Sequence, residues 1–185
     1  SYALNQGAEH VFLLNQDAYL IDDCLDKLVI FQKNNPDFGI LSPIHTNYKF
    51  DSLDPSFAKY MRFENNPDFY SDFVLGNKIK SVYDTPFINA AGWLVSRNCF
   101  EKVGGFDPIF FHYGEDINFC QRVLYHNLKI GAIPHAYMGH YNYHAYLKKN
   151  KNQKKNIFDS YQRFIKTKYA NINSNDNLNI ESKKL

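Results

Sequence analysis

The chain has 185 residues, 44% of them hydrophobic and 22% charged, with a formal net charge of +2. That length suits one domain with a real core and is short for two, and so small a charge gives no case for a nucleic-acid partner. No stretch approaches the roughly 20 apolar residues a membrane-spanning helix needs, and the opening SYALNQGAEH lacks the basic run and apolar core of a secretory leader.

His10-Val11-Phe12-Leu13-Leu14 is a continuous apolar run, as expected of a strand covered on both faces in a parallel sheet. It stops at the polar triplet Asn15-Gln16-Asp17. Asp22 is placed to cap a helix with an apolar face of Leu25, Leu28, Val29 and Phe31, ending before Pro36. Phe38-Gly39-Ile40-Leu41 reads as the next strand, so the order is strand, helix, strand, and the expected class is α/β. Between Thr46 and Lys80 the periodicity fades, and irregular structure over the sheet is expected.

Order returns at Pro86-Phe87-Ile88-Asn89, and Gly92–Ser96 reads as a strand. A short helix around Cys99–Val103 should stop at Gly104-Gly105, because glycine adopts the left-handed conformation that ends helices. A helix after Gly114 should bury Ile117, Cys120, Val123 and Leu124, and Leu128–Ile133 reads as a further strand leading into PHAYMGHYNYHAY. From Lys148 lysine and asparagine dominate, with one amphipathic helix expected at Ile157–Ile165 and disorder after Asn171. The expected division is a folded unit over 1–147 and a basic tail over 148–185. The tail is compatible with peripheral contact at a membrane surface, and a solvated terminus is the simpler reading. The three cysteines, Cys24, Cys99 and Cys120, lack CxxC spacing and sit among apolar residues. Reduced, buried thiols in a cytoplasmic protein are expected.

Three clusters carry candidate chemistry. Asp17 stands at the carboxyl end of a strand, where ligands of open α/β sheets bind, and offers a hard oxygen suited to Mg²⁺ or Mn²⁺; taken alone it is better read as a turn residue. Glu115 and Asp116 open a helix, whose N-terminus favours anions, so both are expected to be ionised near neutrality. A fixed carboxylate facing a cleft can take a proton from an attacking hydroxyl, and the bland alternative is an acidic helix start. His135, His140 and His144 are candidate metal ligands, with His140 and His144 at helical i, i+4 spacing although HExxH is absent.

The order of these signals resembles the family 2 glycosyltransferases of the GT-A fold, closest to the rhamnosyltransferase-like bacterial branch. The likeness begins at NQGAEHVFLLNQDAYL and continues through FINAAGWLVSRNCFEKVGGFDPIFFHYGEDINFCQRVLYHNLKIGAIPHAYMGH. It implies a GT-A-like, Rossmann-like fold with a mixed, mainly parallel sheet flanked by helices. Carried onto the matching positions, it implies that Asp17 binds the divalent cation, Mn²⁺ or Mg²⁺, that bridges the donor's diphosphate, with His140 completing the metal site. Asp116 would be the general base and Glu115 would position a substrate. Ala91 and Gly92 would let the donor sugar approach the backbone, Trp93 would stack nearby, and Asn15 would stand in the donor site at the first position of the Asp-x-Asp-type motif. Arg122 is expected to hold its helix, with the diphosphate as the alternative. The 17% aromatic content then suits both a core and a surface against sugar rings.

The implied reaction is an inverting, metal-dependent transfer from a nucleotide-diphosphate sugar to a saccharide or lipid-linked saccharide in bacterial surface polysaccharide synthesis, in the cytoplasm, with the inner face of the membrane as the alternative place. The pattern departs from the family at Asn15, where the family has an acid, and at the start. The βαβαβ segment that grips the nucleotide would precede residue 1, so an N-terminally truncated fragment, inactive alone, is expected. The strand at Val11–Leu14 would then have an open apolar edge and a tendency to pair with a second copy. Two other readings compete: a non-catalytic carbohydrate-binding module that kept the fold, and a metal-dependent hydrolase using His135, His140 and His144.

Overall fold

The computed structural model describes residues 2–110, 113–141 and 153–174. Its strands are β1 (His10–Leu14), β2 (Ala18–Leu20), β3 (Phe38–Thr46), β4 (Tyr83–Asp84), β5 (Gly92–Ser96) and β6 (Lys129–His140). Its helices are α1 (Tyr2–Asn5), α2 (Cys24–Asn34), α3 (Pro55–Tyr60), α4 (Pro67–Leu75), α5 (Arg97–Val103), α6 (Glu115–Tyr125) and α7 (Gln153–Tyr169).

The strands form one sheet in the order β1-β5-β3-β6-β2, with β4 beside β6. The mixed α/β class is as expected, but the sheet is not mainly parallel. Only β3 and β6 run parallel, and the other described pairings are antiparallel. The reason lies in β5. Both β1 and β3 run antiparallel to it, so they are parallel to each other, with α2 crossing between them and a later strand inserted. The fully covered strand is β3, buried at all nine positions; β1 is half-buried and pairs among the described residues with β5 alone.

Alternation along the strands separates two cores. Ile40, Trp93, Val95 and Ile130 face α5 and α6, meeting Cys99, Val103, Phe119 and Val123. Their neighbours Leu41 and Leu94, with Ile133 and Ala136, face Cys24 and Leu28 of α2. The three thiols are buried and free, and burial pushes Cys24 up to about 11 and Cys99 up to about 12.

Several local expectations change. Asp22 takes a left-handed φ of 30°; Asp23 occupies the cap of α2 without a side-chain bond. The stretch Thr46–Lys80 contains α3 and α4, each started by a capping residue followed by proline at the first turn. Asp54 accepts from the N–H groups of Ser56 and Phe57, and Asn66 from that of Phe69. Pro86–Asn89 forms neither helix nor strand. Helix α5 forms as read, with Ser96 as cap and Gly104 (φ 82°) at its end. Helix α6 buries Asn118, Phe119, Cys120 and Val123, whereas Ile117 and Leu124 are each 37% exposed. The apolar count missed Asn118, whose amide is satisfied by Arg122 and by the Ala170 carbonyl.

Arg122 holds the end of α5 through backbone carbonyls. Its guanidinium donates to the carbonyls of Val103 and Gly105 at 2.7 Å each. Helix α7 rests on α6: Gln121 donates to the Thr167 carbonyl, and Asn173 donates to the Gln121 carbonyl. The disorder expected late in the tail falls, from residue 175 on, outside the described residues. No described helix is long and apolar enough to cross a membrane.

Candidate active site

Asp17 lies in the turn between β1 and β2, fixed by backbone bonds on both sides. The Asn15 N–H donates to the Ala91 carbonyl at 3.0 Å, and the Tyr141 N–H donates to the Asp17 carbonyl at 2.7 Å. Antiparallel pairing sets Ala18 opposite His140 at the end of β6. The pairing brings the two side chains together, with Asp17 Oδ1 3.5 Å from His140 Nε2.

The other ring nitrogen of His140 meets Asp54, a residue the sequence reading did not single out. A carboxylate can only accept, so Nδ1–H of His140 donates to Asp54 Oδ2 at 3.3 Å, and Nε2 is the nitrogen left toward Asp17. Asp54 is 1% exposed, yet satisfied by the α3 cap bonds and the imidazole. Burial pushes its carboxyl up, but the hydrogen bonds from His140 and Phe57 outweigh that and hold it below the usual range. Burial disfavours the His140 imidazolium, but the bond to Asp54 and the charges of Asp54 and Asp17 outweigh it and raise its pKa.

These residues fit a divalent cation. An imidazole whose far nitrogen is fixed by a buried carboxylate, with a half-exposed carboxylate beside its near nitrogen, is the outer-shell arrangement that orients metal-binding histidines. The two donors stand at a separation one cation can bridge. No third protein group joins them among the described residues. The helical pairing of His140 with His144 does not apply. His140 is in a strand, and His144 lies outside the described residues. His135 faces solvent in the register irregularity of β6 between Ile133 and Tyr137.

Behind the pair lies a second buried histidine. Ser42 Oγ donates to the Pro43 carbonyl, so His45 Nε2 donates to Ser42 Oγ at 2.9 Å. Burial lowers His45 to about 3, so this ring stays neutral 6.4 Å from that of His140.

Glu115 and Asp116 are aimed by two consecutive left-handed residues, Tyr113 (φ 66°) and Gly114 (φ 96°). For tyrosine this conformation is strained, and such strain clusters at functional sites. Asp116 accepts from the Ile117 N–H at 2.8 Å, and the Ala90 backbone also favours its ionised form. The helix start does not dominate as expected: burial outweighs these effects and, with the Glu115 charge, raises the Asp116 carboxyl. Glu115 is half-buried, and its Oε2 has no hydrogen-bond partner among the described residues.

Tyr60, the last residue of α3, lines a cavity with Asp116. Its phenol is raised by burial and then by the charges of Asp116 and Asp54, so both carboxylates are within electrostatic reach of it. The segment before β5 passes near both the Asp17 turn and Asp116, since Ala91 accepts from that turn and the Ala90 backbone acts on the Asp116 carboxyl. The remaining expected donor-site residues sit differently. Asn15 is exposed beside Asp17. Ala91 and Gly92 are buried, and a Cβ on Gly92 would lie 2.4 Å from Met138 Sδ, so the missing side chain makes room for Met138. Trp93 is wholly buried, packed against Phe106 and Phe119, and this ring offers no open face for stacking on a sugar. Asp54 was legible only as the cap in Asp54-Pro55. Nothing local marks it as a partner of His140.

The model of a glycosyl transferase family, group 2, matches residues 10–175. Among solved structures, the fold resembles "Crystal structure of GalNAc-T7 with UDP, GalNAc and Mn2+", with TM-score 0.50 and 15% identity over 76% of this chain and 30% of that one. A weaker likeness, to "Crystal Structure of A197 from STIV", has TM-score 0.46 and 13% identity over 76% and 61% of the two chains. At these identities the first likeness speaks of fold alone, and the second carries no argument. The chain spans 30% of the length of the first structure and 61% of the second. No curated protein sequence matches it.

Proposed function

The chain belongs to glycosyl transferase family group 2, and from that premise we propose that it carries the cation-binding and base-bearing part of an inverting sugar transferase. The donor is a nucleotide-diphosphate sugar and the acceptor a saccharide, of the surface-polysaccharide kind the sequence resemblance implies. The observation that carries this reading is the Asp17–His140–Asp54 array, with Tyr60 feeling the charges of both Asp54 and Asp116. The GalNAc-T7 structure, obtained with UDP, GalNAc and Mn²⁺, supports a divalent cation in this fold.

Asp17 Oδ1 and His140 Nε2 would hold the cation, and Asp54 keeps the His140 proton on Nδ1 so that Nε2 presents its lone pair. When bound, the cation neutralises charge developing on the departing diphosphate. Asp116 takes the proton of the acceptor hydroxyl as its oxygen forms the new bond to the anomeric carbon. The bond from that carbon to the phosphate oxygen breaks in the same step, and the nucleotide diphosphate leaves. A base on the face opposite the leaving group makes the displacement in line, so configuration inverts. A carboxyl raised by burial is a better base than an ordinary one, provided it is ionised at the working pH. Glu115 positions the acceptor or donor sugar beside it.

The test is a screen of nucleotide sugars with Mn²⁺ or Mg²⁺ and saccharide acceptors on the full-length protein, scored by nucleotide release. Cation-dependent release that disappears in Asp116→Asn is expected. Transfer at the normal rate by Asp116→Asn would remove Asp116 from the role of base.

A further inference from the structure

Helix α4 ends in three consecutive apolar residues, Phe73-Val74-Leu75, that the fold leaves 48%, 77% and 73% exposed. The stretch that follows, Gly76-Asn77-Lys78-Ile79-Lys80, adds two exposed lysines and no acid. We propose that this protruding tip docks on an anionic lipid surface, with Val74 and Leu75 entering the interface and Lys78 at the headgroups. The inference stands apart from the sugar-transfer reading and uses none of its residues.

The exposure is imposed by the fold. Asn66 caps the start of α4, and Gly76 (φ 67°) ends it in the left-handed conformation. Below the tip, Phe69 is buried and packs at 6.4 Å on Phe57 of α3 and at 5.2 Å on Tyr83 of β4. Asp72 is buried in the same base, where its carboxylate accepts from the Tyr83 hydroxyl at 2.8 Å and from the Asn77 amide at 3.3 Å. Helical phase then decides the rest: Phe69 and Asp72 face the core, so Val74 falls on the opposite side and Leu75 at the open end. A contiguous apolar patch held outward on so well bonded a base marks an interaction surface.

Charge decides what covers it. Asp72, the nearest acid in the chain, points inward, and Asp68 is paired with Lys80. Lys78 makes no ion pair among the described residues. Apolar side chains beside unopposed positive charge fit a bilayer with anionic headgroups, where the apolar groups enter the acyl boundary and each nearby lysine adds attraction. A second copy fits less well, because a twofold contact is self-complementary and would set the lysines of one tip against those of the other.

The experiment sediments the full-length protein at low salt with vesicles of phosphatidylglycerol and phosphatidylcholine in equal parts, and with vesicles of phosphatidylcholine alone. Binding to the first and much weaker binding to the second are expected. Val74→Gln combined with Leu75→Gln should lower the affinity about tenfold or more, and Lys78→Gln about fivefold. Glutamine is a good helix former, so both proteins should melt as the native one does. The native thiols are buried, so Leu75→Cys can be labelled alone with a polarity-sensitive dye, whose emission should shift to the blue on anionic vesicles. Should the double glutamine variant melt early, that shift decides. No sedimentation with anionic vesicles, no dye shift, or an affinity unchanged in a folded double variant overturns the docking site. An affinity indifferent both to Lys78→Gln and to phosphatidylglycerol overturns the choice of an anionic surface. Self-association that the double variant abolishes, without vesicle binding, overturns it too and makes the tip a contact between copies.

Discussion

Asp54 and His140 are joined inside the protein: the imidazole Nδ1 lies 3.3 Å from the carboxylate Oδ2, and both residues are buried. One carboxylate thus does two tasks, with Oδ1 capping α3 and Oδ2 orienting the ring that faces Asp17.

The two tasks separate by substitution. Asp54→Asn keeps a good capping side chain and should lower stability only modestly, whereas Asp54→Ala loses the cap and about 0.5–2 kcal/mol. Both remove the carboxylate behind His140 and should weaken Mn²⁺ binding about 10–100-fold. Thermal melts and Mn²⁺ titration of the full-length protein measure the two effects.

Asp116→Asn should abolish transfer, by about 10²–10⁴-fold, and raise the melting temperature at neutral pH. The folded-state pKa of Asp116 is raised by burial, so folding favours its protonated form, and ionisation as pH rises from the ordinary carboxyl value through the raised one costs stability. The asparagine escapes that cost. The gain should shrink as pH falls below the ordinary carboxyl range, where the native carboxyl is protonated too. A melting temperature of Asp116→Asn that drops at pH 7 would contradict the burial argument.

The metal-free protein and the Mn²⁺ complex should respond to pH in opposite senses. His140 is raised above its ordinary 6.5, so without metal its stabilising contribution is complete below 6.5 and is lost as pH rises through the raised value. Mn²⁺ needs the deprotonated nitrogen, so its affinity should climb over the same rise. Melts with and without Mn²⁺ at stepped pH would show the crossing, and His140→Asn should erase it.

Gly92→Ala should destabilise by about 1–3 kcal/mol through overpacking, because its Cβ would meet Met138 Sδ at 2.4 Å. Met138→Ala is itself costly, yet combined with Gly92→Ala the losses should fall short of additive. A double-mutant cycle by urea unfolding measures the coupling, and strict additivity would rule the contact out.

Much of the fold was readable locally. The stop of α5 at Gly104 and the acidic start of α6 were written in neighbouring residues, and so was the end of α2 before Pro36. Helices α3 and α4 are equally legible in Asp54-Pro55 and Asn66-Pro67, whereas apolar periodicity is a weak signal in helices this short. The insertion of β5 between β1 and β3 was not legible, since strand order depends on partners distant in the chain. The motif alone suggests donor contacts at Trp93 and Gly92; packing against Phe119 buries the Trp93 ring, and Met138 fills the space beside Gly92.

By itself the sequence determined where chemistry-bearing groups sit along the chain: an acid after a strand, paired acids at a helix start, a histidine near the end of another strand. Those facts follow from backbone preferences that act over a few residues. Only the tertiary structure decided that Asp54 stands behind His140, that Asp17 stands before it, and that α7 closes the cavity holding Asp116. Such contacts are fixed by sheet register and core burial, and a register shifted by one residue would turn His140 to the opposite face of the sheet.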